Sequence, residues 1–192
     1  TKSLYSTKVE GLTFYNFIRF FSKPYYYKSL LRSLFVCSAV VLLTVLVGVP
    51  IAYIMSRYNV FGKKILHVMI LMALMSPPFI GAYSWIILLG RNGLVSKLFN
   101  LIGLNSPTIY GVGGIIFVFV LHLFPYIYLY TSGAMNSIDS SLEEASENLG
   151  MNKFRRILTV TLPVILPSIL AGCVMVFMTC LADFGTPMLL GE

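Results

Sequence analysis

Few side chains in this sequence are equipped for chemistry. The 192 residues include two histidines, seven carboxylates and three cysteines. Cys37, Cys173 and Cys180 each stand inside an apolar run. With no Cys-x-x-Cys or Cys/His cluster, they read as small buried hydrophobes rather than a metal site or disulfide framework. His67 lies just inside an apolar run, on its basic side, and reads as an interfacial anchor. His122 lies deeper, where an ionisable group either lines a pathway or hydrogen-bonds a neighbouring helix. Asp183 follows another run, beside Gly185 and Pro187, and either shapes the mouth of a path or caps a turn. Pro77-Pro78 removes two backbone donors in mid-run, a break that either borders a cavity or is covered by packed helices. Tyr25, Tyr26 and Tyr27 suit an interfacial belt better than ligation of a hard cation. No acid–base pair or activated nucleophile converges, which argues against an enzyme.

The elements that must position these residues follow from composition. The chain is 57% hydrophobic and 11% charged, with a mean hydropathy of +0.84. Soluble domains run at about 45–50% apolar and about 25% charged, so a soluble enzyme, a disordered chain and a collagen-like fibre are excluded. Fourteen basic residues against seven acidic give a net charge of +7. In a soluble domain that excess would suggest nucleic acid. Here the basic residues flank apolar runs, where topology and anionic lipid account for them and no nucleic-acid partner is implied. The sequence opens on Thr1 without a signal-peptide pattern and stops at Glu192 soon after an apolar run; both ends are expected to be cut.

A bilayer-crossing helix needs about 20 predominantly apolar residues. Four runs meet that need, at about 34–56, 65–89, 114–130 and 157–181, and predict an all-α membrane protein. Residues 1–33 form a separate outer interfacial segment, with Phe14, Phe17, Ile18 and Phe21 at helical spacing. Leu94, Leu98, Leu101 and Ile102 share the face of a second short interfacial helix. Pro50 and Pro125 read as ordinary kinks. Counting positive charge does not orient the bundle. One side carries Arg57, Lys63, Lys64, Lys153, Arg155 and Arg156, and the other carries eight basic residues.

The most informative stretch is polar and covers residues 138–150. Ser140 with Glu143, and Ser141 with Glu144, match the capping box that starts a helix. Glu143, Glu144 and Glu147 put negative charge near its positive end. Ile138, Leu142, Ala145 and Leu149 make one apolar stripe, and Gly150 falls where a left-handed backbone closes a helix. The prediction is a short amphipathic helix outside the bilayer, ending in a sharp turn.

Glu144-Ala145-Ser146, three residues, Gly150, nine residues, then Val160-Thr161-Leu162-Pro163 resembles the EAA motif of ABC importer permeases. The departures, Ser146 for alanine and Val160 for isoleucine, are small in volume. The Pro77-Pro78 pair and the stretch Ala182-Asp183-Phe184-Gly185-Thr186-Pro187 are similar to the ferric iron branch of that family. The resemblance implies a type I permease bundle in the bacterial inner membrane. The chain would then be part of a six-helix module, with one span before it and one after it.

It further implies that Leu142, Glu143, Glu144, Ala145, Ser146, Leu149 and Gly150, with Leu162 and Pro163, couple the permease to a cytoplasmic ABC ATPase dimer. Its other implied partners are an extracytoplasmic solute-binding protein and a second permease module, in this chain or another. ATP would be used by the ATPase alone, because no Gly-x4-Gly-Lys-Ser/Thr sequence occurs here and the chain itself needs no cofactor. Placing 138–150 in the cytoplasm sets the orientation that charge left open. Pro77, Pro78, His122 and Asp183 are the candidates for a translocation path. Ferric iron is the expected solute, with phosphonate, polyamine or thiamine as alternatives. A secondary transporter or channel also uses broken helices, but has no reason to carry the EAA spacing.

Overall fold

The computed structural model describes residues 20–91, 93–101, 109–138, 146 and 150–191. Among these residues all regular structure is helical. The helices are α1 (Pro24–Arg57), α2 (Lys63–Met75), α3 (Pro78–Leu89), α4 (Leu94–Leu101), α5 (Val112–Ser137) and α6 (Lys153–Arg156). A π-helical turn, Ile157–Thr161, joins α6 to α7 (Leu162–Ala182), and α8 (Gly185–Leu190) follows.

Residues 1–35 and 36–192 form two compact units, so the start of α1 belongs to the first. In that first unit Phe20 stacks on Tyr26 at 5.1 Å, and Ser29 Oγ donates to the Tyr25 carbonyl at 2.9 Å. Tyr25–Tyr27 are therefore helical, and α1 begins ten residues before the run expected at 34–56. Proline at the first helical position costs no hydrogen bond and presets φ, which lets Pro24 start the helix early.

Three helices are long and apolar enough to cross a membrane: α1, α5 (here Val112–Asn136) and the composite Ile157–Ala182. The expected count of four needs correction, because the run 65–89 is two helices rather than one. Lys63–Met75 and Ile80–Lys97 diverge by 105°, and the count reaches four only if such a bent pair is one span. The physical cause lies in Pro77-Pro78. A residue before proline is pushed out of the α region, and Ser76 sits at ψ 135° while Pro77 sits at ψ 136°. Helix α3 then restarts with Pro78 in its first turn, where a missing N–H is harmless.

In the second unit α5 is the central element. It packs along α7 and also meets α2, α3 and α8. Val118, Phe119, Leu123 and Ile127 of α5 join Cys37 and Val40 of α1 and Val176 and Cys180 of α7 in one buried cluster. The helices approach closely where small residues allow it, as membrane packing requires. A Cβ on Gly48 would lie 2.8 Å from the Ile127 Cβ, so only glycine fits that crossing of α1 and α5. In contrast Phe35, Leu42 and Leu46 of α1 and Val174, Met178 and Leu181 of α7 stay exposed, as lipid-facing side chains do.

Candidate functional site

The polar stretch ends in a tight turn at Gly150. Ser146 is helical and buried, and Gly150 has φ +74°. The Met151 N–H donates to the Ser146 carbonyl at 3.2 Å. With Gly150 at C′, that is the six-to-one bond of a Schellman motif, which satisfies a carbonyl the helix end would otherwise leave bare. Among the described residues, chain neighbours aside, no atom lies within 4 Å of where a Gly150 side chain would start. The constraint is thus dihedral rather than steric: a left-handed backbone costs other residues roughly 1–2 kcal/mol. Leu142, Glu143, Glu144, Ala145 and Leu149 lie outside the described residues.

The helices on either side of the polar stretch are drawn together where they flank it. Met135 of α5 and Ile165 and Ile169 of α7 form a buried cluster, and Ile138 and Leu162 pack against it. The first residue of the polar stretch and the leucine of the downstream Leu-Pro pair therefore rest on one patch. Just before Leu162 the backbone widens into the π turn Ile157–Thr161, and the Leu162 N–H bonds back to the Ile157 carbonyl. Pro163 has no N–H for the ordinary helical bond, and Pro167 removes another one turn later. The wider turn lies immediately before Pro163, where the first donor is lost, and such π bulges recur at functional positions. Sequence reasoning missed it; the paired prolines were its only signal.

The path candidates make different contacts. His122 is half-buried, and a Cβ on Gly81 of α3 would lie 3.9 Å from its Nδ1, so His122 faces the restarted helix just beyond Pro77-Pro78. Asp183 engages its own turn. Its Oδ1 accepts from the Gly185 N–H at 2.7 Å and the Thr186 N–H at 3.2 Å, and its Oδ2 accepts from Thr186 Oγ1 at 2.8 Å. Of the two readings open for Asp183, the geometry is that of a cap on α8.

Two contacts were not expected from the sequence. His67 is more than an interfacial anchor: its Nδ1 lies 2.7 Å from the hydroxyl of Tyr128, joining α2 to α5. Tyr128 is buried in the bundle, unlike a belt tyrosine. In α4, Ser96 turns inward and donates to the Leu89 carbonyl at 3.2 Å, while Leu94 stays exposed.

Residues 48–192 match the family model described as binding-protein-dependent transport system inner membrane component. The molybdenum transport system permease protein ModB of Haemophilus influenzae is 32% identical over 136 residues, covering 70% of this chain and 58% of that protein. The ferric transport system permease protein FbpB of Actinobacillus pleuropneumoniae is 27% identical over 91% of this chain, which spans 26% of it. The spermidine/putrescine permease PotB of Haemophilus influenzae is 27% identical over 94% of this chain and 64% of its own length. The chain thus spans little more than half of the first of these relatives and about a quarter of the second. Among solved structures, a bacterial alginate ABC transporter in complex with an alginate-bound periplasmic protein superposes with a TM-score of 0.78 at 18% identity. It covers 94% of this chain and 66% of that one.

Proposed function

The chain belongs to the binding-protein-dependent transport system inner membrane component family, and we propose that it is the membrane-spanning permease part of an ATP-driven importer, coupled to a separate ATPase through residues 138–150. The observation that carries this reading is the left-handed Gly150 turn, in a stretch whose two flanks, Ile138 and Leu162, pack on one buried cluster. A turn of that kind fixes the angle between the preceding helix and the strand of chain re-entering the bundle. Force on the helix is then passed to α5 and α7 together, through two packed side chains rather than a slack loop.

In this proposal the stripe Leu142, Ala145 and Leu149 packs into a groove on the ATPase, the helix-in-groove mode of recognition. Glu143, Glu144 and Glu147 meet basic groups there, giving orientation more than affinity. The ATPase dimer hydrolyses ATP in the cytoplasm, and a solute-binding protein delivers cargo on the opposite face to this module and a second one. His122, facing α3 beside the proline break, is the residue we place nearest the path. Ferric iron is the solute favoured by the stretch from Ala182 to Pro187. Relatives named for molybdenum, ferric iron and polyamine transport stand at similar identity, so a direct binding assay on the cognate binding protein is what separates the three.

The test is Gly150→Asp. Strain of roughly 1–2 kcal/mol at the turn would misdirect the helix without touching the spans. Membrane insertion should be normal, while the co-expressed ATPase no longer co-purifies and uptake stops. Undiminished ATPase capture with normal uptake would overturn the coupling proposal.

A further inference from the structure

A cavity of about 630 Å³ opens between the C-terminal end of α1, the N-terminal end of α2 and the last turns of α5. That volume is within the about 300–1,000 Å³ typical of small-ligand sites. The chain builds it with a tight turn: the Lys63 N–H bonds the Val60 carbonyl at 3.1 Å, and Gly62 adopts φ +75°. Two consecutive lysines, Lys63 and Lys64, are thereby brought to one rim, with Ser132 and Asn136 of α5 also lining the cavity. The His67–Tyr128 bond fixes α2 against α5 at its floor. Met55 and Val68 give the remainder of the wall an apolar character.

The only carboxylate among the described residues is Asp183, and its oxygens are held within its own turn. Two ammonium groups, the Asn136 amide and an adjoining apolar wall suit an anion attached to something greasy. A multivalent oxyanion takes charge-assisted bonds from the lysines, and an acyl-glycerol portion continues along Met55 and Val68. The cavity also sits at the bilayer end where α5 runs into Ile138, where a headgroup would lie.

We infer that this cavity binds the phosphate of an anionic phospholipid, clasped by Lys63 and Lys64. Occupancy holds the end of α2 against the end of α5 that leads to the Gly150 turn, and so makes that turn responsive to lipid composition. The site does not depend on which solute is carried or on the ATPase.

The experiment is native mass spectrometry of the full chain released from nanodiscs of mixed phosphatidylglycerol and phosphatidylcholine. The expected result is selective retention of one phosphatidylglycerol. Lys63→Gln with Lys64→Gln should lower that retention roughly 30-fold, following the contribution of each lysine near an anionic surface. Lys153→Gln with Arg155→Gln, which removes as much charge outside the cavity, should leave it unchanged. Asn136→Asp, a mild change at an exposed helix end, should repel the lipid and gives a second reading if the lysine double variant folds poorly. Equal loss in the Lys153/Arg155 variant would reduce the effect to surface charge and overturn the site. Displacement of the lipid by added inorganic phosphate would show a free-anion site instead. Unchanged retention in both cavity variants would also sink it.

Discussion

Two proline pairs interrupt apolar runs of this chain, and they do opposite things. At Pro77-Pro78 the helix stops, the backbone extends through Ser76 and Pro77, and α3 starts in a new direction. At Pro163 and Pro167 the chain stays helical from Ile157 to Ala182 and merely widens into a π turn. Spacing explains the difference. Adjacent prolines force extended backbone on the residues before each ring, so no helical hydrogen-bond register survives. Prolines four residues apart each cost one bond while the helix continues through them, and a wider turn accompanies the first. The first device redirects a span where it meets His122, and the second leaves a span intact but compliant, downstream of Gly150 in the chain.

The largest effect is expected from closing the break. Pro77→Ala with Pro78→Ala removes an obstacle worth roughly 3 kcal/mol per interior proline. Spin labels at Leu66 and Ile87 should then move apart, toward the about 32 Å of a straight helix, and uptake should fail. An unchanged separation would mean that the packing of α3 on α5 and α8, rather than the prolines, sets the bend.

A smaller change is expected at the second pair. Pro163→Ala restores a donor to the widened turn and should return it to α geometry, stabilising the span by about 1 kcal/mol. Amide exchange across residues 157–161 should slow while uptake drops, because the compliance is lost. Exchange that stays as fast would show that Pro163 is not what opens the π turn.

The smallest concerns what holds α2 upstream of the break. Tyr128→Phe removes the partner of His67 and should cost about 1 kcal/mol in thermal unfolding. It should leave the Leu66–Ile87 separation as it was. A separation that changed as much as in the double proline variant would assign the bend to the His67–Tyr128 bond.

Much of this was legible in the residues, for reasons that differ by element. Runs such as 34–56 and 114–130 declare themselves because hydrocarbon admits almost nothing else. Gly150 was legible because capping signals and a terminal glycine are local, and its φ of +74° needs no tertiary context. Tyr25–Tyr27 were read as interface because aromatic type says where a side chain prefers to sit, not whether its backbone is helical. His67–Tyr128 joins residues 61 positions apart, and no periodicity within either helix points to its partner. The π turn was hidden because proline announces a lost bond without saying how the chain will compensate. The role of Glu143, Glu144 and Glu147 rests on the resemblance and on Gly150, since those acids lie outside the described residues.

Helix α1 carries one further consequence. Its 34 residues amount to about 51 Å of helix, against a hydrocarbon layer of about 30 Å. Even its uncharged stretch, residues 34–56, is about 35 Å long. Such an excess is accommodated by leaning or by local thickening of the lipid, at fractions of a kcal/mol per Å. Since Gly48 lets α1 cross α5 at almost backbone contact, a change of lean would turn residues 36–57 about that crossing. Bilayer thickness thereby becomes a mechanical input to the bundle, set by the membrane's lipids rather than by ATP or solute.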